Sequence, residues 1–85
     1  MTEIIRWEVS PLKAKKYRVW LRDGDRVSKV DFGARGYQQY RDQTPLKLYA
    51  ADDHNDLARR ERYYKRHKID YPMYSADYFS KKYLW

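Results

Sequence analysis

Two alternating segments on either side of an acidic turn limit what this chain can fold into. Tyr17, Val19 and Leu21 are apolar positions separated by Arg18, Trp20 and Arg22, and residues 27–32 follow the run Asp23-Gly24-Asp25. Side chains of a strand point alternately to opposite faces, so this pattern is typical of strands with one buried face. An Asp-Gly pair between such segments favours a tight turn. The sequence therefore predicts a β-hairpin over about residues 15–32.

The length of the loop decides which faces of the hairpin meet. A four-residue loop over residues 23–26 gives three cross-strand pairs, namely Tyr17 with Phe32, Val19 with Val30, and Arg18 with Asp31. A two-residue loop at Asp23-Gly24 also joins the apolar faces, whereas a three-residue loop would set Tyr17 against Asp31, because a slip of one residue exchanges the two faces. Trp20 then lies on the opposite face with Val27 and needs another cover.

The segments before and after the hairpin contain weaker signals. Residues 1–12 alternate between apolar and polar side chains near Val9 and end at Ser10-Pro11, which indicates an extended arm able to lie as a strand along a neighbour. Gly33 and Gly36 mark a turn after the second strand. Residues 37–45 form an irregular connector, and residues 45–49 are predicted to add a short strand or extended segment.

Two helices are predicted in the second half of the chain. The first covers about residues 55–67, since acidic residues precede it at Asp52, Asp53 and Asp56. Two acid-first pairs at i,i+4 spacing, Asp56 with Arg60 and Glu61 with Lys65, support that helix, which the Tyr71-Pro72 pair would end. Ser75 or Asp77 would cap a short second helix that carries Tyr78, Phe79, Tyr83 and Leu84. The predicted fold class is α+β, a small single domain over residues 13–85 that follows an N-terminal arm over residues 1–12.

Composition excludes several classes of protein to which this chain could otherwise belong. The 85 residues include no cysteine, so disulfides and thiolate metal sites are excluded, and His54 and His67 are the two histidines. No stretch approaches the ~18 consecutive apolar residues of a membrane span, and no apolar leader opens the chain. We expect a soluble intracellular or particle-bound protein without a membrane span. A net charge of +7 with ten tyrosines and three tryptophans favours polyanionic or acidic protein partners and an interface rich in aromatic groups.

The densest basic segment covers residues 59–68, with six cations, one anion and two tyrosines in ten residues. On a helix, Arg59, Arg62 and Arg66 lie on one side with Tyr63, while Arg60 and Tyr64 lie about 100° away. One side of the helix could therefore meet phosphates or carboxylates while the other packs on protein. The predicted contact residues for protein or polyanion are Arg59, Arg60, Arg62, Tyr63, Tyr64, Arg66, His67, Tyr83, Leu84 and Trp85.

Motifs that would indicate catalysis are absent. The phosphate-binding loop pattern, the dinucleotide glycine pattern and the nucleophile elbow do not occur. Asp53, His54 and Asp56 place an imidazole between carboxylates, but helix capping accounts for this spacing more simply than a metal or proton-transfer site does. His67 suits the negative end of the helix dipole. We therefore expect no enzyme activity, no catalytic, cofactor-binding or metal-binding residue, no cofactor and no small-molecule substrate.

The order of several motifs resembles a family of uncharacterised short basic proteins from large DNA viruses and tailed phages. In this chain the shared features are Phe32-Gly33 at the end of the hairpin, the pattern D-H-x-D-x-x-R-R-x-x-Y-x-x-R-H over residues 53–67, Pro72, and a C-terminal Leu84-Trp85. The resemblance covers about residues 15–85 and implies a viral setting. It leads us to expect a non-enzymatic structural protein of the virion, assembled in the host cell. Such a minor capsid or cement protein would contact major and other minor capsid proteins. The alternative is a virion-associated nucleic-acid-binding protein that neutralises packaged DNA.

Overall fold

The computed structural model describes residues 1–67 and 73–85 and has the predicted α+β fold. Three antiparallel strands form one sheet in the order β1 (Thr2–Val9), β2 (Lys15–Asp23) and β3 (Arg26–Ala34). Two helices follow, α1 (Leu57–Arg66) and α2 (Ala76–Tyr83), with a short 3-10 turn at Ala50–Asp52 before them. The predicted boundary at Tyr71-Pro72 lies outside the described residues.

The hairpin has the register that the four-residue loop predicted. Tyr17 pairs with Phe32, Val19 with Val30 and Arg18 with Asp31. The pairing continues to Asp23 and Arg26, so only Gly24 and Asp25 remain in the turn. Gly24 has a φ of 61°, and glycine adopts this positive value at the first turn position without steric cost. The alternative two-residue loop at Asp23-Gly24 is therefore wrong.

The predicted N-terminal arm is extended, but it belongs to the sheet of this same chain. β1 pairs antiparallel with β2, and the register shifts between Ile4 and Arg6. This bulge leaves Ile5 unpaired, so that Ile4 and Trp7 both turn toward the core although they are three positions apart and would lie on opposite faces of a regular strand. Sequence alternation alone could not choose between a neighbour's strand and the chain's own hairpin.

Trp20 lies on the sheet face away from the helices and is covered by polar side chains of the same sheet. Its indole nitrogen donates to Glu8 Oε1 at 2.7 Å, and the cations of Arg18 and Lys29 lie 5.9 and 5.8 Å from the ring. Val27 pairs with Arg22 and lies on the same face as Trp20, as the alternation predicted. The need for a cover is therefore met by cation–π and hydrogen-bond contacts rather than by another element.

The connector between β3 and α1 has no strand, so the short strand predicted at residues 45–49 is wrong. A side-chain network organises this segment. Asp42 accepts hydrogen bonds from the backbone amides of Thr44 and Tyr49 at 2.9 and 3.1 Å, and from the hydroxyls of Thr44 and Tyr17. An extended segment at residues 45–49 would carry the Tyr49 amide away from this carboxylate.

The core lies between the sheet and α2. Its buried members are Tyr17, Val19, Leu21, Phe32, Phe79 and Leu84. Gly33 adjoins this core with a φ of 81°, and a Cβ at that position would lie 2.9 Å from Leu84 Cδ1. Glycine is thus required at the end of β3 by both its backbone conformation and the close approach of the C-terminal segment.

Candidate binding surface

The N-terminal end of α1 is fixed by two side chains. Asp56 is the N-cap and accepts from the amides of Ala58 and Arg59 at 3.0 and 3.3 Å. His54 Nδ1 accepts from the amide of Asp56 at 2.9 Å. Asp56 and His54 therefore act in capping, and Asp53 accepts from Gln39 Nε2 and the Asp42 amide at 2.7 and 2.8 Å. Asp53 helps to hold the connector.

The two acid-first pairs predicted along α1 do not form. Across the described parts of the chain, none of the ion pairs involves α1, although Asp56 with Arg60 and Glu61 with Lys65 have the favourable spacing. Asp56 turns to the helix amides instead. The prediction of these pairs is therefore wrong, because capping occupies the first acid and an exposed pair contributes little free energy.

The C-terminal segment, residues 83–85, is tied to the connector by backbone hydrogen bonds. The Tyr83 carbonyl accepts from the Gln43 amide at 2.8 Å, and the Leu84 carbonyl accepts from the Arg41 amide at 3.1 Å. Leu84 is 2% exposed and packs in the core. These bonds bring Trp85 beside α1, although Trp85 and α1 are far apart in the sequence.

A stack of three aromatic rings joins the C-terminal segment to α1. The rings of Tyr63 and Trp85 are parallel at 4.3 Å between centroids, and His67 stacks on Tyr63 at 4.1 Å. His54 approaches Trp85 at 5.2 Å. Burial and the charge of Arg59 lower the pKa of His54, which favours the neutral ring that accepts the Asp56 hydrogen bond.

Arg60 and Tyr64 hold α1 against other parts of the chain. Arg60 Nε donates to the main-chain oxygen of Trp85 at 2.7 Å, and its guanidinium lies 5.1 Å from the Tyr40 ring and 5.2 Å from the Tyr64 ring. The ammonium of Lys81 lies 5.1 Å from the same Tyr64 ring. This side of the helix packs on the chain's own residues.

The remaining side of α1 is basic and exposed. Arg62, Lys65 and Arg66, which we call the basic face, are exposed. No carboxylate within the described ranges neutralises them. Tyr63, which helical geometry groups with Arg59, Arg62 and Arg66, is buried against Trp85, so the packed side of α1 is wider than the sequence predicted.

A cleft of about 340 Å³ lies between α1 and residues 34–39. Arg59, Arg66 and His67 line one wall, and Tyr37 and Gln38 line the other. The floor is formed by residues of the core and the ring stack, among them Lys16, Gln39, Leu84 and Trp85. The cleft is therefore polar at its walls and closed by packed side chains below.

A buried cation lies in the floor of this cleft. Lys16 Nζ donates to the Tyr37 carbonyl at 2.7 Å and to Gln39 Oε1, and it pairs with Asp52 Oδ2 at 3.3 Å. Burial lowers the pKa of Lys16, and the charge of Asp52 opposes that shift. Lys16 thus holds the far wall of the cleft in place through the Tyr37 carbonyl.

The structure gives the predicted contact residues different surroundings. Tyr63 and Leu84 are buried, at 8% and 2% exposure, and their side chains pack inside this chain. Arg62 and Arg66 are exposed, whereas the others are half-buried: Arg59, Arg60, Tyr64, His67, Tyr83 and Trp85. The Leu84-Trp85 pair therefore anchors the chain to itself, and the surface available for a partner is mainly basic.

Sequence analysis missed the second wall of the cleft. Tyr37 and Gln38 fall in a segment without periodicity, and only the composition Tyr-Gln-Gln-Tyr after Gly36 distinguishes it. The structure brings them opposite α1 through a hydrogen bond from Arg59 Nη1 to Gln38 Oε1 at 2.8 Å. The sequence signal that could have indicated this wall is the tyrosine that follows the glycine turn at Gly36.

Neither a metal-binding group nor a membrane-spanning helix occurs in the described ranges, residues 1–67 and 73–85. No three His, Asp or Glu side chains there form a group able to hold a metal ion. No helix in the same ranges is long and apolar enough to cross a membrane.

The fold defines a small α+β protein with a three-stranded antiparallel sheet and a basic helix. The chain belongs to a family of unknown function, DUF5754, whose model matches residues 6–50, more than half of the 85 residues. That range includes most of the sheet and the Tyr37 wall of the cleft, while α1 lies beyond it. Neither a curated protein nor a solved structure matches the chain.

Proposed function

We propose that this chain is a non-enzymatic structural protein of a virus particle, a minor capsid or cement protein that bridges larger capsid subunits. The viral setting rests on the motif order between Phe32-Gly33 and Leu84-Trp85. The chemistry of docking rests on the basic face of α1. The partners are acidic surfaces of major and other minor capsid proteins.

The observation that carries this proposal is the exposed basic face, whose cations form no ion pair with a carboxylate among residues 1–67 and 73–85. Arg60 and Tyr63 contact Trp85 of the C-terminal segment, and Tyr64 contacts α2, so α1 is held in one orientation. Arg62, Lys65 and Arg66 are therefore presented together rather than on a freely moving helix. Preorganised guanidinium groups form bidentate bonds with carboxylates at a reduced entropic cost.

The elongated shape suits a bridging role. The molecule measures 42 × 27 × 20 Å, and the hairpin turn at Gly24 is at the opposite end of β2 from the cleft residues Lys16 and Gly33. Residues 22–29 around that turn are all exposed. A chain with exposed side chains at both ends of a sheet can contact two subunits at once.

Charge reversal on the basic face tests the proposal. Arg62→Glu with Lys65→Glu changes the net charge by about −4 and avoids the residues that line the cleft. Particles assembled with this variant should contain at least tenfold less of the protein, measured by quantitative mass spectrometry of purified virions. Lys13→Glu with Lys47→Glu is the matched control, since both lysines are exposed and the charge change is equal. Equal incorporation of the two variants would refute docking through the basic face.

The salt dependence of docking separates the two functions that the sequence left open. Binding to packaged DNA should weaken steeply with salt, with a log-log slope near −0.9 for each phosphate neutralised. Docking on a capsid subunit through three or fewer exposed cations should give a shallow slope. A steep slope together with normal incorporation of the charge-reversed variant would favour the DNA-neutralising alternative.

A further inference from the structure

The cleft between α1 and residues 34–39 shares Arg66 with the basic face, and it also contains Arg59, Tyr37 and Gln38, which the proposed docking does not use. Its volume of about 340 Å³ lies within the ~300–1,000 Å³ typical of ligand sites. Arg59 and Arg66 are seven residues apart on one wall, about 10.5 Å along the helix axis. They can therefore meet anionic groups at both ends of the cleft.

Arg59 is held in place but keeps most of its hydrogen-bonding capacity. Its bond to Gln38 Oε1 uses one of the five N–H donors of a guanidinium. That bond orients the planar group across the mouth of the cleft. A preorganised guanidinium with free donors suits a phosphate oxygen pair.

Tyr37 supplies a different kind of contact on the opposite wall. Its side chain is 71% exposed, although its carbonyl is fixed by Lys16. A large exposed ring held by a rigid backbone is a stacking surface for a planar base. Gln38 beside it accepts from Arg59 through Oε1, so its Nε2 amide group is left to donate to a base edge.

We infer that this cleft binds a phosphate-bearing nucleotide unit of a single strand, with Arg59 and Arg66 on the phosphates and the base stacked on Tyr37. An acidic peptide would satisfy the arginines but would leave the tyrosine ring without a planar partner. A duplex would satisfy the arginines but keep its bases away from the ring. The combination of cations on one wall and an exposed aromatic group on the other favours a single strand.

Fluorescence anisotropy with a labelled eight-nucleotide oligothymidylate tests this assignment on the full chain. Arg59→Gln with Arg66→Gln should weaken binding at least tenfold and make the log-log salt slope shallower by about 1.4, since single strands contribute about −0.7 per phosphate. Arg62→Gln with Lys65→Gln removes the same charge outside the cleft and should weaken binding less than threefold. Equal losses in the two variants would overturn the assignment.

Tyr37 provides the second arm of the test. Tyr37→Ala should lose about tenfold in affinity, and Tyr37→Phe should lose less than threefold, because stacking needs the ring and not the hydroxyl. Tyr37 is highly exposed, so loss of folding does not complicate the result, and circular dichroism verifies this. An unchanged affinity for Tyr37→Ala would overturn the assignment.

Competition with three unlabelled probes identifies the source of the ligand chemistry. Thymidine monophosphate that competes as well per phosphate as the oligonucleotide would indicate a free nucleotide, whereas an advantage of the oligonucleotide would indicate a strand. The first outcome would overturn the assignment to a strand, and the second would support it. A polyglutamate peptide of equal length that competes equally would overturn it in favour of a carboxylate site. Incorporation into virions is measured with variants of Arg62 and Lys65, which lie outside the cleft. The docking proposal and the cleft proposal can therefore fail independently.

Discussion

Asp42 shows how one buried carboxylate organises an irregular segment. It is 4% exposed and accepts from two backbone amides and two hydroxyls, including the hydroxyl of Tyr17. Burial acts to raise the pKa of Asp42, but hydrogen bonds from Thr44, Tyr17 and Tyr49 outweigh it and hold the pKa below its usual value. Burial and the hydrogen bond to Asp42 raise the pKa of Tyr17 to about 12. The ionised carboxylate and the neutral phenol therefore stabilise each other.

Asp42→Asn should destabilise the fold by about 2 kcal/mol at pH 7, because hydrogen bonds to a charged group contribute about 1.5–3 kcal/mol. The folded pKa lies below the unfolded one, so this contribution is complete above about pH 4 and is lost as the pH falls through the folded pKa. Urea unfolding at pH 7 and at acidic pH measures the difference. The exposed turn variant Asp25→Asn is the control and should change stability by less than about 0.5 kcal/mol. A pH-independent gap between Asp42→Asn and the original chain would contradict the pKa argument.

At the scale of elements, α1 depends on the C-terminal segment for its position. Few apolar side chains of α1 are buried among the described residues, and the ring of Tyr63 stacks on that of Trp85. The predicted helix over residues 55–67 forms as Leu57–Arg66 because Asp56 takes the cap position. The helix propensity and the N-cap of α1 depend on residues within or beside the helix. The orientation of α1 depends on stacking with Trp85, which is distant in the sequence.

Trp85→Ala should release α1 from the sheet without unfolding the sheet. The loss of the ring stack and its buried area should cost about 2 kcal/mol, which corresponds to roughly a 30-fold drop in hydrogen-exchange protection of the α1 amides. Amides of β2 should keep their protection. Trp85→Phe, which retains a stacking ring, should recover most of the protection in α1. Uniform loss across both elements would show that α1 and the sheet unfold as one unit.

At the scale of the whole molecule, the C-terminal segment completes the core. Leu84 packs with Tyr17, Phe32 and Phe79 and closes over Gly33. A chain of this length buries a small core, so each member accounts for a large share of the stability. Removing Leu84-Trp85 would therefore impair folding before it affected any contact with a partner.

Leu84→Ala should lower the free energy of unfolding by about 2–5 kcal/mol, as expected for a buried leucine. Chemical denaturation followed by circular dichroism measures it. Leu12→Ala is the matched control, since Leu12 is exposed and the same atoms are removed. Its change should stay within about 0.5 kcal/mol. Similar effects of the two substitutions would contradict the place of Leu84 in the core.

Much of the fold could be predicted because its signals are local. The alternation of Tyr17, Val19 and Leu21 and the turn at Gly24 determine the hairpin and its register. The strand at residues 45–49 was wrong because side-chain bonds to Asp42 outweigh local preference there. The candidate site was predicted in part: the basic side of α1 follows from helical geometry, whereas Tyr37 carries no periodic signal.

By itself the sequence determined the hairpin, the two helices and the separation of charges around α1, since strand and helix periods act between residues near each other in the chain. Only the tertiary structure decided that β1 joins this chain's own sheet, that Leu84 and Trp85 face inward, and that Tyr37 lies opposite Arg59. The β1–β2 pairs join residues 8 to 21 positions apart, Tyr37 and Arg59 are 22 positions apart, and Leu84 is 51 positions from Gly33. The free energy of these contacts depends on packing and hydrogen bonds that exist only after the elements have docked.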